Sequence, residues 1–122
     1  MDQPGYKFKR DLSVDIGALV ELIAANQKAN GEIPWCVGQK TDPWDHVEGA
    51  MGLTIGGRYT EARRAFQWLA GNQLDDGSWY AAYLDGAPHD RTRDSNLTAY
   101  IAVGLYHYYR VTGDGDFVTA LW

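Results

Sequence analysis

The sequence predicts an all-α fold of antiparallel α/α hairpin repeats, and three observations predict it. Four segments carry apolar residues at helical spacing and end on glycine signals, while no long segment alternates as a strand would. The helices alternate in kind: the first and third are amphipathic, the second and fourth nearly free of charge. A short pattern also recurs. Asn26, Gln27 and Gly31, then Trp35, are echoed by Asn72, Gln73 and Gly77, then Trp79, a period of about 46 residues that suits a stacked helical hairpin.

The first helix is expected over 13–28, where Ile16, Leu19, Val20 and Ile23 share a side and Asn30-Gly31 stops the chain. The second is expected over 43–55. Asp42 suits its N-cap and Pro43 its first position, and Gly56-Gly57 ends it. The third is expected over 60–73 with Thr60 as N-cap. Ala62, Ala65, Phe66, Leu69 and Gln73 fall on one face, and Glu61, Arg63 and Arg64 begin the wet one. The fourth runs over 95–112 between Asp94-Ser95 and Gly113, and a fifth begins near Asp116-Phe117. Residues 79–84 are the one place where a short extended piece is expected.

From 97 to 109 the fourth helix has no charge, and from 47 to 57 the second has only Glu48. Helices apolar all round are expected to be buried on all sides. The connections alternate too: short at 56–59 and 113–115, long at 29–42 and 74–94. Antiparallel hairpins put both long loops at one end, and long loops in compact domains are usually functional. Asp42, Asp45, His46, Asp94 and Asn96 are therefore expected at one mouth.

Composition narrows the function classes. The chain has 122 residues, 45% of them apolar, and a net charge of −5. That is at most one domain. No basic stripe marks a nucleic-acid partner. The longest strongly apolar stretch, 99–106, is too short to span a bilayer. Lys7, Lys9 and Arg10 are not followed by a signal-peptide core, and a single cysteine, Cys36, suits a reducing compartment, so the expected location is cytoplasmic. Five Trp, eight Tyr and fourteen Gly hint at a cavity with aromatic walls.

The densest ionisable cluster is Asp42, Asp45, His46 and Glu48. Asp45 and Glu48 are three apart and can share a helix face. Glu48, the lone charge in an apolar run, must be paired, hold a raised pKa or face a wet cavity. Asp45, Glu48 and Asp94 are the catalytic candidates. Trp44, His46, Tyr83, Arg93 and Asn96 are the substrate-binding candidates. Asp42, Asp45 and Asp94 also suit helix starts for purely structural reasons. Gly49, Gly52 and Gly56 form a stripe that predicts close helix packing. One Cys and scattered His make no metal site, and no cofactor is expected, with magnesium left open.

The run Arg64-Ala65-x-x-Trp68-Leu69-x-x-x-Gln73-x-x-x-Gly77-x-Trp79 resembles the QW motif of squalene and oxidosqualene cyclases, and 24–35 looks like a degenerate copy. The resemblance implies the (α/α)6 toroid of terpene cyclases and prenyltransferases, with Gln capping a helix end and stacking on Trp. The whole chain looks most like the N-terminal part of bacterial prenyltransferase-like proteins. It implies an isoprenoid-type small-molecule substrate in an aromatic cavity, with acidic residues at the mouth. A second stretch, Asp94-Ser95-Asn96-Leu97 through Thr112-Gly113-Asp114, is similar to α/α-toroid sugar enzymes of the glucoamylase and glycogen-debranching kind. It implies the alternative, a carbohydrate-active protein of glycoside hydrolase type. On either resemblance residues 1–122 are a partial toroid of about two and a half hairpins, expected to stop short at Leu121-Trp122. The remaining hairpins or another copy of the chain are then needed to cover exposed edges, and the piece by itself could be inactive.

Overall fold

The computed structural model describes residues 13–121. The leader reading built on Lys7, Lys9 and Arg10, and the chain end at Trp122, lie outside the described residues. The elements are α1 (Ile16–Asn26), α2 (Pro43–Ile55), α3 (Tyr59–Gly71), β1 (Ala82–Leu84), β2 (Ala87–Asp90), α4 (Ser95–Thr112) and α5 (Gly115–Leu121). The fold is thus mainly helical with one two-stranded sheet, and no described helix is long and apolar enough to cross a membrane.

Local chemistry sets the boundaries. α1 starts later than the apolar pattern predicts, because the Asp15 carboxylate caps it by accepting from Ala18 N at 2.9 Å. α2 has the expected bounds, with Asp42 accepting from Asp45 N at 2.9 Å. The expected Thr60 cap is corrected: Arg58 holds that position and Thr60 lies inside the first turn of α3. The reason is the tight end of α2. Arg58 N donates back to Leu53 O at 2.8 Å, so the chain is already turning into α3 at Tyr59. Asp94 caps α4, and Gly113, at φ 71°, ends it in the left-handed conformation.

The helices form two layers. Val20 of α1 meets Gly56 of α2, and Ile23 meets Gly52, so these helices run antiparallel. In α2 and α4, Trp44 meets Tyr100 and Val47 meets Gly104, so these two run parallel and side by side. Gln27 and Gly31, at and just beyond the end of α1, touch Glu61 and Arg64 of α3, which places α3 beside α1 in the other layer. α5 joins that layer through Arg63, whose guanidinium lies 4.3 Å from the Phe117 ring. Glycine permits the close approaches: a Cβ at Gly104 would lie 2.3 Å from Val47 Cγ1, and one at Gly56 2.4 Å from Val20 Cγ1. The core between the layers includes Val47, Ala50, Leu53, Phe66, Leu69 and Tyr108.

The expectation that α2 and α4 are enclosed on all sides is corrected. α2 exposes Asp45, Glu48 and Ile55, and α4 exposes Val103, Tyr106 and Tyr109.

The long loops are laced together before α2 and α4. Thr41 N donates to Tyr83 O and Tyr83 N to Thr41 O, both at 2.8 Å. The extended piece expected at 79–84 is half of a hairpin whose second strand was not foreseen. Asp85 and Gly86, at φ 51° and 77°, make its two-residue turn with the positive dihedrals such hairpins favour. The two Asn-Gln turns share a geometry: Gln27 Nε2 donates to Gly31 O at 3.0 Å and Gln73 Nε2 to Gly77 O at 3.1 Å.

Candidate functional site

Because α2 and α4 are parallel, the first turn of α2 lies against the second turn of α4. Trp44 and Tyr100 stack there almost flat, 3.9 Å between ring centroids and 3° between planes. Both polar tips point at one carboxylate oxygen: Trp44 Nε1 donates to Glu48 Oε1 at 2.9 Å and the Tyr100 hydroxyl at 3.2 Å. Glu48 remains exposed, so the lone charge of the run is accounted for by two donors and by solvent. Lost hydration, then the Glu48 charge, raises the Tyr100 pKa, which keeps that hydroxyl a donor. Tyr100 was not foreseen; no local pattern pairs residues 52 positions apart.

Asp45 and Glu48 also stand on the wall of a cleft of about 740 Å³, within the range of ligand sites, about 300–1,000 Å³. Ile33, Pro34, Trp35 and Val37, from the loop before α2, supply a mainly apolar side. The Asp45 carboxyl is held above the usual carboxylate range. Lost hydration is the largest cause, followed by the Asp42 charge and its hydrogen bond and by the Glu48 charge, while Lys40 acts the other way. Asp42 itself is engaged, capping α2 and accepting from Trp35 Nε1. The arrangement offers a carboxyl whose pKa is raised, a hydrogen-bonded carboxylate one turn on, and flat aromatic surface beside both.

Two binding candidates, His46 and Tyr83, lie in the core. His46 is wholly buried, with both ring nitrogens occupied: Nδ1 accepts from Ile33 N at 3.0 Å and Nε2 donates to Ala65 O at 2.9 Å. It fastens the 31–35 loop to α3 and does not reach the cleft. Tyr83 is buried as well, its ring edge-on to Trp68 at 5.2 Å. Its main-chain ladder to Thr41 fixes it in the core.

Burial lowers the His46 pKa from 6.5 to about 4. Between those values the unfolded chain binds a proton that the folded chain refuses, so stability falls as pH drops from about 6.5 to about 4. A full shift of this size corresponds to about 3 kcal/mol. The expected result is a His46 ring signal that stays neutral in NMR spectra at pH 5, with a urea midpoint lower there than at pH 7. A ring that titrates near 6.5 in the folded protein contradicts it.

Asp94, Asn96 and Arg93 lie at the start of α4. Asp94 accepts from Asn96 N at 2.7 Å, and Arg93 pairs with Asp76. Asp94 and Arg93 border a separate open groove of about 390 Å³ with Asp76 and Ser78, which shares no lining residue with the Asp45–Glu48 cleft. The single expected mouth is thus divided into two depressions. The buried carboxylate of Glu32 was also not foreseen. It accepts from the Thr41 hydroxyl at 2.7 Å and pairs with Lys28 at 3.0 Å, bracing the loop before α2. Among the described residues no three His, Cys, Asp or Glu side chains are grouped as a metal site.

No family model matches the chain. Over 102 residues, 84% of its length, it is 44% identical to the MMP endo-(1,4)-3-O-methyl-alpha-D-mannosidase of Mycolicibacterium hassiacum. The chain spans 28% of that protein. This similarity overturns the terpene cyclase and prenyltransferase reading and agrees instead with the sugar-enzyme alternative. The physical reason for the error is visible in the motif that carried it. Arg64 donates to Gln27 at 3.0 Å, Trp79 Nε1 to Leu69 O at 2.7 Å, and Trp68 packs on His46 and Tyr83. The QW-like residues hold turns and helices together, and packing of that kind specifies no substrate. Over most of its length the chain is similar to a little more than a quarter of a mannosidase.

Proposed function

We propose that the chain is carbohydrate-active, contributing part of a glycoside hydrolase-like site for mannosides. The observation that carries this reading is the convergence of Trp44, Tyr100 and Glu48 beside the Asp45 cleft. Sugar rings present C–H faces that settle on flat aromatic groups and hydroxyls that bond to carboxylates, and this site supplies both next to each other. The similarity to a mannosidase supports the same direction. Glycosidic cleavage uses one carboxyl as acid and a second carboxylate as base or nucleophile, without a cofactor. Asp45, whose pKa is raised, takes the acid role, and Glu48 binds sugar hydroxyls or serves as its partner. Asp94 and Arg93, at the second groove, and Asn96, in the first turn of α4 beside them, hold more distant units of the saccharide.

The two helix layers are those of a partial (α/α)6 ring. Further hairpins of the protein, or a second copy, then cover the open sides at Ile16 and Leu19 and at Val103 and Tyr106. The cytoplasm is the location that fits the exposed free thiol of Cys36.

The test is titration of the full protein with α-(1,4)-linked mannosides, followed by intrinsic Trp fluorescence. Saturable binding is expected. Trp44→Ala is expected to weaken it by on the order of ten-fold or more, through lost stacking and the loss of one donor to Glu48. Absence of binding by every mannoside in the panel defeats the reading.

A further inference from the structure

We propose that Asp42 is a positioning residue for the acid of the cleft: held by Trp35 and by the first turn of α2, it keeps the charge of the Asp42–Asp45 pair on itself, so that the first proton the pair takes up goes to Asp45. The mannoside reading, on which the proposal rests for the use of that proton, is not needed for the pairing itself. Asp42 Oδ1 accepts from Asp45 N at 2.9 Å, which sets the two carboxyl groups side by side at the start of α2. A helix cap needs only that one oxygen. The second, Oδ2, accepts from Trp35 Nε1, and Asp42 is only 9% exposed. A buried carboxylate with a fixed donor on each oxygen is built to stay ionised. Asp45 faces the cleft on different terms. Lost hydration and the Asp42 and Glu48 charges disfavour its ionised form, and only the Lys40 charge acts the other way. Like charges this close are not both favoured, and the donors decide which carboxyl gives way.

Both anchors of Asp42 are themselves fixed. Thr41, the residue before it, is laddered to Tyr83 and donates its hydroxyl to Glu32. Trp35 N donates to Lys40 O at 3.0 Å, and the Lys40 ammonium sits 4.2 Å from the centre of the Trp35 ring. The charged groups facing the pair are few. Lys40 comes from the loop, and its charge also reaches Asp90 of β2. Glu48 stands one turn on, held by Trp44 and by Tyr100 of α4. The α1 residues that line the cleft, Leu22, Ile23, Ala25 and Asn26, do not titrate. His46 and Glu32 are turned into the core and bonded there. Trp35 lines the cleft while Asp42 lies behind it, so the indole ties the cleft wall to the acid without touching the acid.

The experiment follows the aspartate carboxyl carbons of the isotope-labelled full protein by NMR as pH falls, with no substrate present. The Asp45 carbon is expected to report the first proton while the Asp42 carbon keeps its carboxylate position. Asp42→Asn keeps a good helix cap but removes the charge, so the Asp45 midpoint is expected to move to lower pH. Trp35→Phe keeps a ring in the wall but removes a donor from Asp42, so the Asp42 carbon is expected to take a share of the first proton. A first proton on Asp42 in the unsubstituted protein, or an Asp45 midpoint that Asp42→Asn leaves in place, overturns the proposal. If Asp42→Asn does not fold, Trp35→Phe decides, and an Asp42 carbon unchanged there overturns it. Titrations as expected in a protein that binds no mannoside support the pairing and defeat the mannoside reading alone.

Discussion

Gly31→Ala is expected to cost about 2–5 kcal/mol, a large part of the stability of an ordinary domain, about 5–15 kcal/mol. Two costs add. Gly31 has φ 95°, a region where an L side chain strains the backbone by roughly 1–2 kcal/mol. A Cβ there would also lie 2.2 Å from Arg64 O and 2.6 Å from Arg64 C. Both are main-chain atoms of α3, which no rotamer change can move, so the turn and the helix must part, at about 1–3 kcal/mol. Parting them stretches the bonds from Gln27 to Glu61 O and from Arg64 to Gln27. Gly77 is the control. It has a similar φ, 82°, but the nearest atom to its Cβ would be Gln73 Nε2 at 3.8 Å. Gly77→Ala should cost only the conformational part, about 1–2 kcal/mol. Urea midpoints of the two variants check this, and equal losses would falsify the crowding account.

That comparison also indicates what a sequence discloses. Asn26-Gln27 and Asn72-Gln73 announce two turns of one kind, but only packing distinguishes the turn pressed on α3 from the one in the open. The bounds of α2 and α4 were legible because Asp42-Pro43, Asp94 and Gly113 act through their own backbone neighbours. The start of α3 was not, since it is set by Arg58 reaching back to Leu53. Asp85-Gly86 is a hairpin signal, but one short turn carries little weight beside the helical rhythm around it. His46 shares a face with Ala50 and Leu53, a periodicity that places it in the core, while its neighbours Asp45 and Glu48 lie on the exposed side of the same helix. Glu48 stood out as a lone charge, yet its partner Tyr100 belongs to another helix and is chosen by the parallel packing of α2 and α4. The family reading failed for a related reason: the residues of the QW-like motif serve helix packing, which different chemistries can share.

Asp45→Asn is expected to carry the largest effect on activity. On the mannoside reading Asp45 is the general acid, and loss of such a group lowers kcat by about 10²–10⁴-fold. The substitution keeps the shape of the side chain and leaves the α2 cap, which belongs to Asp42, in place. Substrate affinity and the urea midpoint should therefore change little. Glu48 supplies the readout that a merely structural role would not move. Its charge is one of the causes that raise the Asp45 pKa. In Glu48→Gln the Asp45 carboxyl gives up its proton at lower pH, so the limb along which kcat falls with rising pH moves to lower pH. The measurement is kcat against pH for hydrolysis of an α-(1,4)-linked mannoside by the full protein and both variants. If Asp45→Asn hydrolyses at the unsubstituted rate, the acid lies elsewhere. If the limb stays in place in Glu48→Gln, the two carboxyl groups do not act on one another and the paired site is wrong.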